Sequence, residues 1–263
     1  YVLWERRVEH PLLDPRFFLI PRFGLGALTV TASFLAMFGM FFLFTLYLQF
    51  VLGYSPLGAS ARLLPFSAIM VAVAPRSPKL TARFGANRVI ALGFLIQAVG
   101  FVLASTLDAG SSYWMVLASV APMALGMALL MPPTTNAIVT SLPQDKAGVA
   151  SAVNDTTREV GGAVGIALLG TISTIVYHNN AGGLGAGLPP KLQEMAQDSI
   201  GGAVLAASQL PDEAAAGQLI AEGQNVTVAF QNINLFPPLV IRMLKVGENT
   251  GALDSALLNV AYF

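Results

Sequence analysis

Four long stretches of the chain contain no Asp, Glu, Lys or Arg: residues 23–61, 89–107, 109–144 and 160–190. A helix needs roughly 20 apolar residues to cross a bilayer, and each stretch is long enough for one. Nothing else in the sequence narrows the fold as much. Backbone polar groups in hydrocarbon must be satisfied within the segment, so apolar runs of this kind fold as helices. Only 11% of the 263 residues are charged and mean hydropathy is +0.67, whereas soluble domains carry about 25% charged residues.

Five spans are expected, over residues 24–52, 57–75, 88–107, 112–140 and 157–177. Turn chemistry separates them. Gly53, Tyr54, Ser55 and Pro56 form a tight turn after the first, Asp108 to Ser112 divide the third from the fourth, and Pro143 to Lys146 follow the fourth. The second span has a short charge-free centre, with Arg62 near one end. Loop cations decide in its favour. Arg6, Arg7, Arg16 and Arg22 precede the first span; Arg76, Lys79, Arg83 and Arg88 follow the second; Lys146 and Arg158 flank the start of the fifth. The intervening turns carry none, which is the alternation of the positive-inside rule. Arg62 is then expected to snorkel to the interface opposite these cations. The expected organisation is a cytoplasmic lead-in (1–23), a five-helix membrane region (24–177), a polar extracytoplasmic loop (178–235) and a tail (236–263). Short amphipathic helices are expected in the loop near 191–208 and 212–222. The chain begins at Tyr1 with no leader pattern, and is read as starting inside a longer protein.

Several function classes fall away. Net charge is zero and cysteine is absent, so no nucleic-acid partner, disulfide framework or thiolate metal site is expected. His10 and His178 lie far apart and read as loop residues. No Gly-x-x-x-x-Gly-Lys-Ser/Thr phosphate loop occurs. The chain reads as a non-enzyme, with no catalytic residues, no metal site and no cofactor.

Few polar side chains fall inside the spans. Thr45, Gln49, Gln97 and Asn136 are the candidates for a substrate path, with Thr134 and Thr135 beside the last. Such groups equally serve as interhelical glue. Pro132 and Pro133 interrupt a charge-free helix, freeing carbonyls and bending it. Gly161 and Gly165 have Gly-x-x-x-Gly spacing, continued by Ala163 and Ala167, for which close packing is the plainer reading. Asp155, Arg158 and Glu159 are placed at the start of the fifth helix, where an acid suits the positive end. They read as a gate or latch. No acid lies deep in any expected span, so this chain shows no proton relay of its own.

Residues 78–88, with Arg83, Gly85 and Arg88, resemble the cytoplasmic signature loop of the major facilitator superfamily, Gly-x-x-x-Asp-Arg-x-Gly-Arg-Arg. Pro78 stands for its first Gly and Ala82 for its Asp. Positive-inside anchoring explains the same cations. The runs Leu130-Met131-Pro132-Pro133-Thr134-Thr135-Asn136 and Gly148-Val149-Ala150-Ser151-Ala152-Val153-Asn154-Asp155-Thr156-Thr157-Arg158-Glu159-Val160-Gly161-Gly162 are more specific. With Glu9 to Asp14 and Phe41 to Pro56, they resemble the C-terminal half of that superfamily's 14-helix drug:proton antiporters, over residues 1–225. The resemblance implies an all-α, multi-pass protein of a bacterial-type inner membrane. It also implies export of hydrophobic small-molecule drugs driven by a proton gradient, and a missing N-terminal transporter half as partner beside the lipid bilayer. Alone, the chain is expected to be inactive. The tail, from Phe236-Pro237-Pro238 through Gly247-Glu248-Asn249-Thr250-Gly251-Ala252-Leu253, resembles the inner-membrane platform protein of type II secretion and type IV pilus assembly. That implies an alternative, a secretion or pilus assembly component acting through its tail, or a non-functional fused fragment.

Overall fold

The computed structural model describes residues 14–108 and 110–228. Those residues form helices and turns without a strand. Among the described residues five helices are long and apolar enough to cross a membrane. The tail over 236–263, and with it the secretion-like segment, lies outside the described residues, as do residues 1–13.

Helix α1 (Pro21–Leu46) opens with proline in its first turn, where the absent N–H costs nothing. A π-helical turn, Tyr47–Val51, extends it. Gly53, at φ +68°, then reverses the chain, a conformation that favours glycine. Ser55 caps α2 (Pro56–Val73) by accepting from the Gly58 N–H. A short helix, α3 (Ser77–Phe84), follows, and Gly85 at φ +87° turns it into α4 (Ala86–Ala104). Next come α5 (Tyr113–Val139) and α6 (Ala147–Asn180). Three small helices, α7 (Pro190–Asp198), α8 (Ile200–Ala207) and α9 (Glu213–Val228), complete the described chain.

Two expectations need correcting. The segment 75–88 is not a plain loop, because 77–84 is helical, with Lys79 and Arg83 exposed. The fifth span starts at Ala147, not near 157. The alanine-rich segment before Asp155 continues the helix although it is not continuously apolar, and hydropathy alone does not see it. Asp155 therefore sits eight residues inside α6 rather than at its positive end.

The bundle is held by two tight crossings. On α6, a β-carbon at Gly161 would lie 2.5 Å from the Thr31 carbonyl oxygen, and one at Gly165 would run into the Leu35 carbonyl. Gly39 of α1 answers from the other side, against Leu169 and the Gly165 carbonyl. The α4–α5 pair crosses in the same way through Gly93, Gly100 and Gly126. Without a hydrophobic force between helices in lipid, this close approach is the main source of packing energy. Helix α5 is the hub and touches α1, α2, α4 and α6. Helix α2 lies at the margin, with Ala59 as its one buried residue. Outward faces are apolar, with Leu92, Leu95 and Val99 of α4 and Val164 and Ile175 of α6 exposed.

The ends of the bundle differ. Arg16, Arg22, Arg76, Lys79, Arg83 and Arg88 share one end with α3, and all six are exposed. At the other end Arg62 lies 3.5 Å over the Tyr54 ring and 5.8 Å from that of Tyr113, with a bond to the Gly58 carbonyl. Trp114 adds to this aromatic belt, the usual mark of a membrane–water boundary. On the same side α7–α9 make a cap with its own core of Tyr177, Leu184, Ala196, Ile200, Ala203 and Leu219.

Candidate functional site

The most reactive geometry lies where α5, α6 and α1 meet, near the cation-rich end. Pro132 and Pro133 sit inside α5. A helical proline cannot donate to the carbonyl four residues back, so Pro133 leaves the Leu129 oxygen without its usual partner. The buried hydroxyl of Ser77, at the start of α3, donates to that oxygen at 2.6 Å. The break in α5 is thereby stitched to the helix that carries Arg83.

Two residues further on, Thr135 accepts a hydrogen bond from Nη2 of Arg158 at 3.0 Å. The guanidinium lies 5.6 Å over the Phe34 ring of α1. One arginine therefore ties three spans together. Asp155 stands one turn away, its carboxylate 3.9 Å from Nη1 and more than half exposed. An exposed pair at that distance contributes about 0–1 kcal/mol. A charge-assisted hydrogen bond contributes about 1.5–3 kcal/mol, so the Thr135 bond dominates the latch. The site is left incomplete. Nε of Arg158 and Oδ1 of the buried Asn154 have no partner among the described residues. The Asn154 amide reaches Asp155 only at 3.4 Å. An arginine beside an unfilled amide, with a loosely held carboxylate, can exchange partners at low cost.

The other sequence candidates are scattered. Thr45 donates back to the Phe41 carbonyl at 2.8 Å, and Gln49 lies in the π-turn, both toward the cap end. Gln97 is wholly buried at the α4–α5 crossing, with both amide atoms unpartnered. Asn136 is exposed beside the latch. Arg83 and Arg88 are exposed on either side of Gly85, Arg83 lying over the Phe84 ring at 5.3 Å. Glu159 is exposed. Only Asp155, Arg158, Pro132 and Pro133 of the candidates come together. Ser77, Phe34 and Asn154 are not among the candidate site residues, and Thr135 is among them only as a polar neighbour of Asn136. The Thr-Thr pair after the prolines was a usable signal; nothing in the spacing paired Ser77 with Leu129. Among the described residues no group of three or more His, Asp or Glu converges on a metal position.

Residues 4–166 match the Major Facilitator Superfamily. The chain belongs to that superfamily. Among similar proteins, the multidrug efflux pump LfrA of Mycolicibacterium smegmatis is 34% identical over 220 residues, covering 84% of this chain and 43% of that protein. The multidrug resistance protein Stp of Mycobacterium tuberculosis is 32% identical over 206 residues, 78% of this chain and 37% of Stp. The tetracenomycin C resistance and export protein of Streptomyces glaucescens is 33% identical over 177 residues, 65% of this chain and 32% of that protein. This superfamily member therefore spans less than half the length of the relatives it matches.

Proposed function

We propose that this chain forms the C-terminal half of a proton-coupled multidrug exporter and sits in a bacterial plasma membrane with its cation-rich end in the cytoplasm. Its substrates are hydrophobic small molecules. The observation that carries the proposal is the proline break in α5 bridged by Arg158 to Thr135. Superfamily transporters work by rocking one half of the protein against the other about a midplane site. Such rocking needs a hinge and a reversible contact at one end. Pro132 and Pro133 supply the hinge, and Arg158 supplies the contact. Ser77 couples the hinge to the basic helix α3. Similarity to exporters of drugs and antibiotics supports the substrate class.

No Asp or Glu is buried among the described residues, so the proton-carrying acid is placed outside residues 14–228. A proton carrier needs burial to shift its affinity. The experiment expresses the chain alone, and in parallel grafts it in place of the matching segment of LfrA. The chain alone leaves ethidium retention unchanged, while the graft restores efflux that a protonophore abolishes. Arg158→Ala in the graft cuts the efflux rate at least about tenfold at equal membrane abundance, as loss of the charge-assisted bond demands. Proton-sensitive efflux by the chain alone, or an active graft indifferent to Arg158, would overturn the proposal.

A further inference from the structure

A cleft of about 190 Å³ opens at the cap end, between α1, α6 and the start of α8. Phe42, Leu46 and Phe50 recur at helical spacing on one face of α1 and form its apolar wall. Tyr177 and Ser173 line the α6 side, and Ile200 closes it from the cap. No charged side chain lines it. The cap is fixed in place above it. The Tyr177 hydroxyl donates to the Ala196 carbonyl at 3.0 Å, and Gln224 of α9 donates to the Phe50 carbonyl at 2.8 Å, where the π-turn ends.

Three observations select the occupant. Ser173 is 9% exposed, and its hydroxyl, which makes no hydrogen bond to the described residues, is not one of the fully enclosed unpartnered atoms and so opens onto the cleft. Of the other hydroxyls lining the cleft, that of Tyr177 donates to Ala196, that of Ser199 accepts from the Gly202 N–H, and Thr174 is exposed. A hydroxyl that opens onto the cleft can donate to or accept from an uncharged polar group, so Ser173 suits a ligand that carries one. Next, the volume is below the ~300–1,000 Å³ of pockets that enclose drug-sized molecules. It is too small to enclose a drug-sized molecule whole, and a long chain would lie along it only in part. Last, the cleft sits where apolar spans meet a cap bearing Lys191, Glu194, Asp198 and Glu222, a boundary that orients an amphiphile with its chain toward the spans.

We propose that this cleft binds an uncharged long-chain amphiphile, its apolar chain along Phe42, Leu46 and Phe50 and its hydroxyl or carbonyl group on Ser173. The site depends on the membrane fold and not on drug export, so either proposal stands if the other fails. The ligand is a bilayer lipid or a free amphiphile, and two probes separate these sources. One is a diacylglycerol with a diazirine in its acyl chain, carried in phosphatidylcholine vesicles holding the full chain. The other is a diazirine-bearing fatty alcohol added to the chain in detergent. After photolysis, mass spectrometry locates the adducts.

The expected result is labelling of the 42–50 segment and Ile200 above that of the lipid-facing Leu92 and Leu95. Labelling by the lipid probe names the bilayer as the source; labelling by the alcohol alone names a free amphiphile. Ser173→Ala lowers cleft labelling about fivefold, the loss of one hydrogen bond, with α4 labelling unchanged. Gly170→Leu fills the cleft, since its first added carbon already reaches the Phe42 ring at 3.3 Å, and abolishes cleft labelling. Should that variant unfold, Ser173→Ala decides alone, since it removes a single oxygen. Cleft labelling no greater than at α4 with both probes, or labelling indifferent to Ser173→Ala, overturns the site.

Discussion

Replacing Gly165 by alanine tests the crossing of α1 and α6. The new β-carbon would meet three backbone atoms of Leu35: the carbonyl oxygen at closest range, and the carbonyl carbon and Cα at 2.8 Å each. Carbon atoms in contact prefer about 3.5–4.0 Å, so the helices must part by about 1 Å. The obstruction is backbone on both sides, and no rotamer relieves it. Overpacking costs about 1–3 kcal/mol, and a rigid obstruction belongs at the upper end. Alanine in turn gains about 1 kcal/mol over glycine inside a helix. The net loss is about 2 kcal/mol, or roughly 30-fold in the folding equilibrium. The assay is reversible unfolding by dodecyl sulfate in mixed micelles, followed by circular dichroism and tryptophan fluorescence. Gly148 is the control, since a β-carbon there meets nothing within 4 Å. Gly148→Ala is expected to keep or raise stability. If Gly165→Ala is as stable as the parent chain, α1 and α6 do not cross at these glycines and the packing scheme is wrong.

Ser77→Ala orphans the Leu129 carbonyl and is expected to cost about 1–3 kcal/mol in the same assay. In a Pro133→Ala background, which restores the helical donor, the cost falls by at least half; equal costs in both backgrounds would remove Ser77 from the proline break. Gln97→Leu eliminates two unmade hydrogen bonds and is expected to stabilise the bundle by about 1 kcal/mol. A destabilised Gln97→Leu would mean that the amide has a partner in the membrane. Gln224→Ala releases the cap from Phe50, and limited proteolysis should then cut within 181–213 faster while the spans stay protected. Unchanged cleavage would show that the hydrophobic contacts of Tyr177 and Ile200 hold the cap unaided.

Span existence and helical class were written in the linear sequence, because they depend on one-dimensional quantities. Apolar length sets a span, and Gly53 or Gly85 ends one. The alternation of arginine-rich and cation-free turns tells the two ends of the bundle apart. Even the Gly161/Gly165 face was legible as a surface built for close approach. Its partner was not, since nothing in the sequence points from Gly165 to Leu35. The start of α6 was misplaced because hydropathy measures solvent, whereas helix continuation across 147–156 depends on backbone bonding alone.

The candidate site was less legible still. Arg158 and Asp155 stood out as charges near a span, and Pro132 and Pro133 as a break. That Arg158 joins Thr135 over Phe34, and that Ser77 takes the carbonyl which Pro133 abandons, are decided by crossing angles between helices distant in sequence. A proline announces that a carbonyl has been freed; only the neighbouring helix determines who accepts the offer. The same holds for the cap, whose sequence shows a polar, Gly- and Ala-rich loop. Its docking on the π-turn, and the cleft that results, join the Gln224–Phe50 hydrogen bond to the packing of Phe50 and Tyr177 against the cap core. Sequence thus set which segments enter the membrane, since that is a transfer free energy summed along the chain. Tertiary structure set which polar groups are left unsatisfied, since that depends on what each buried atom finds opposite it.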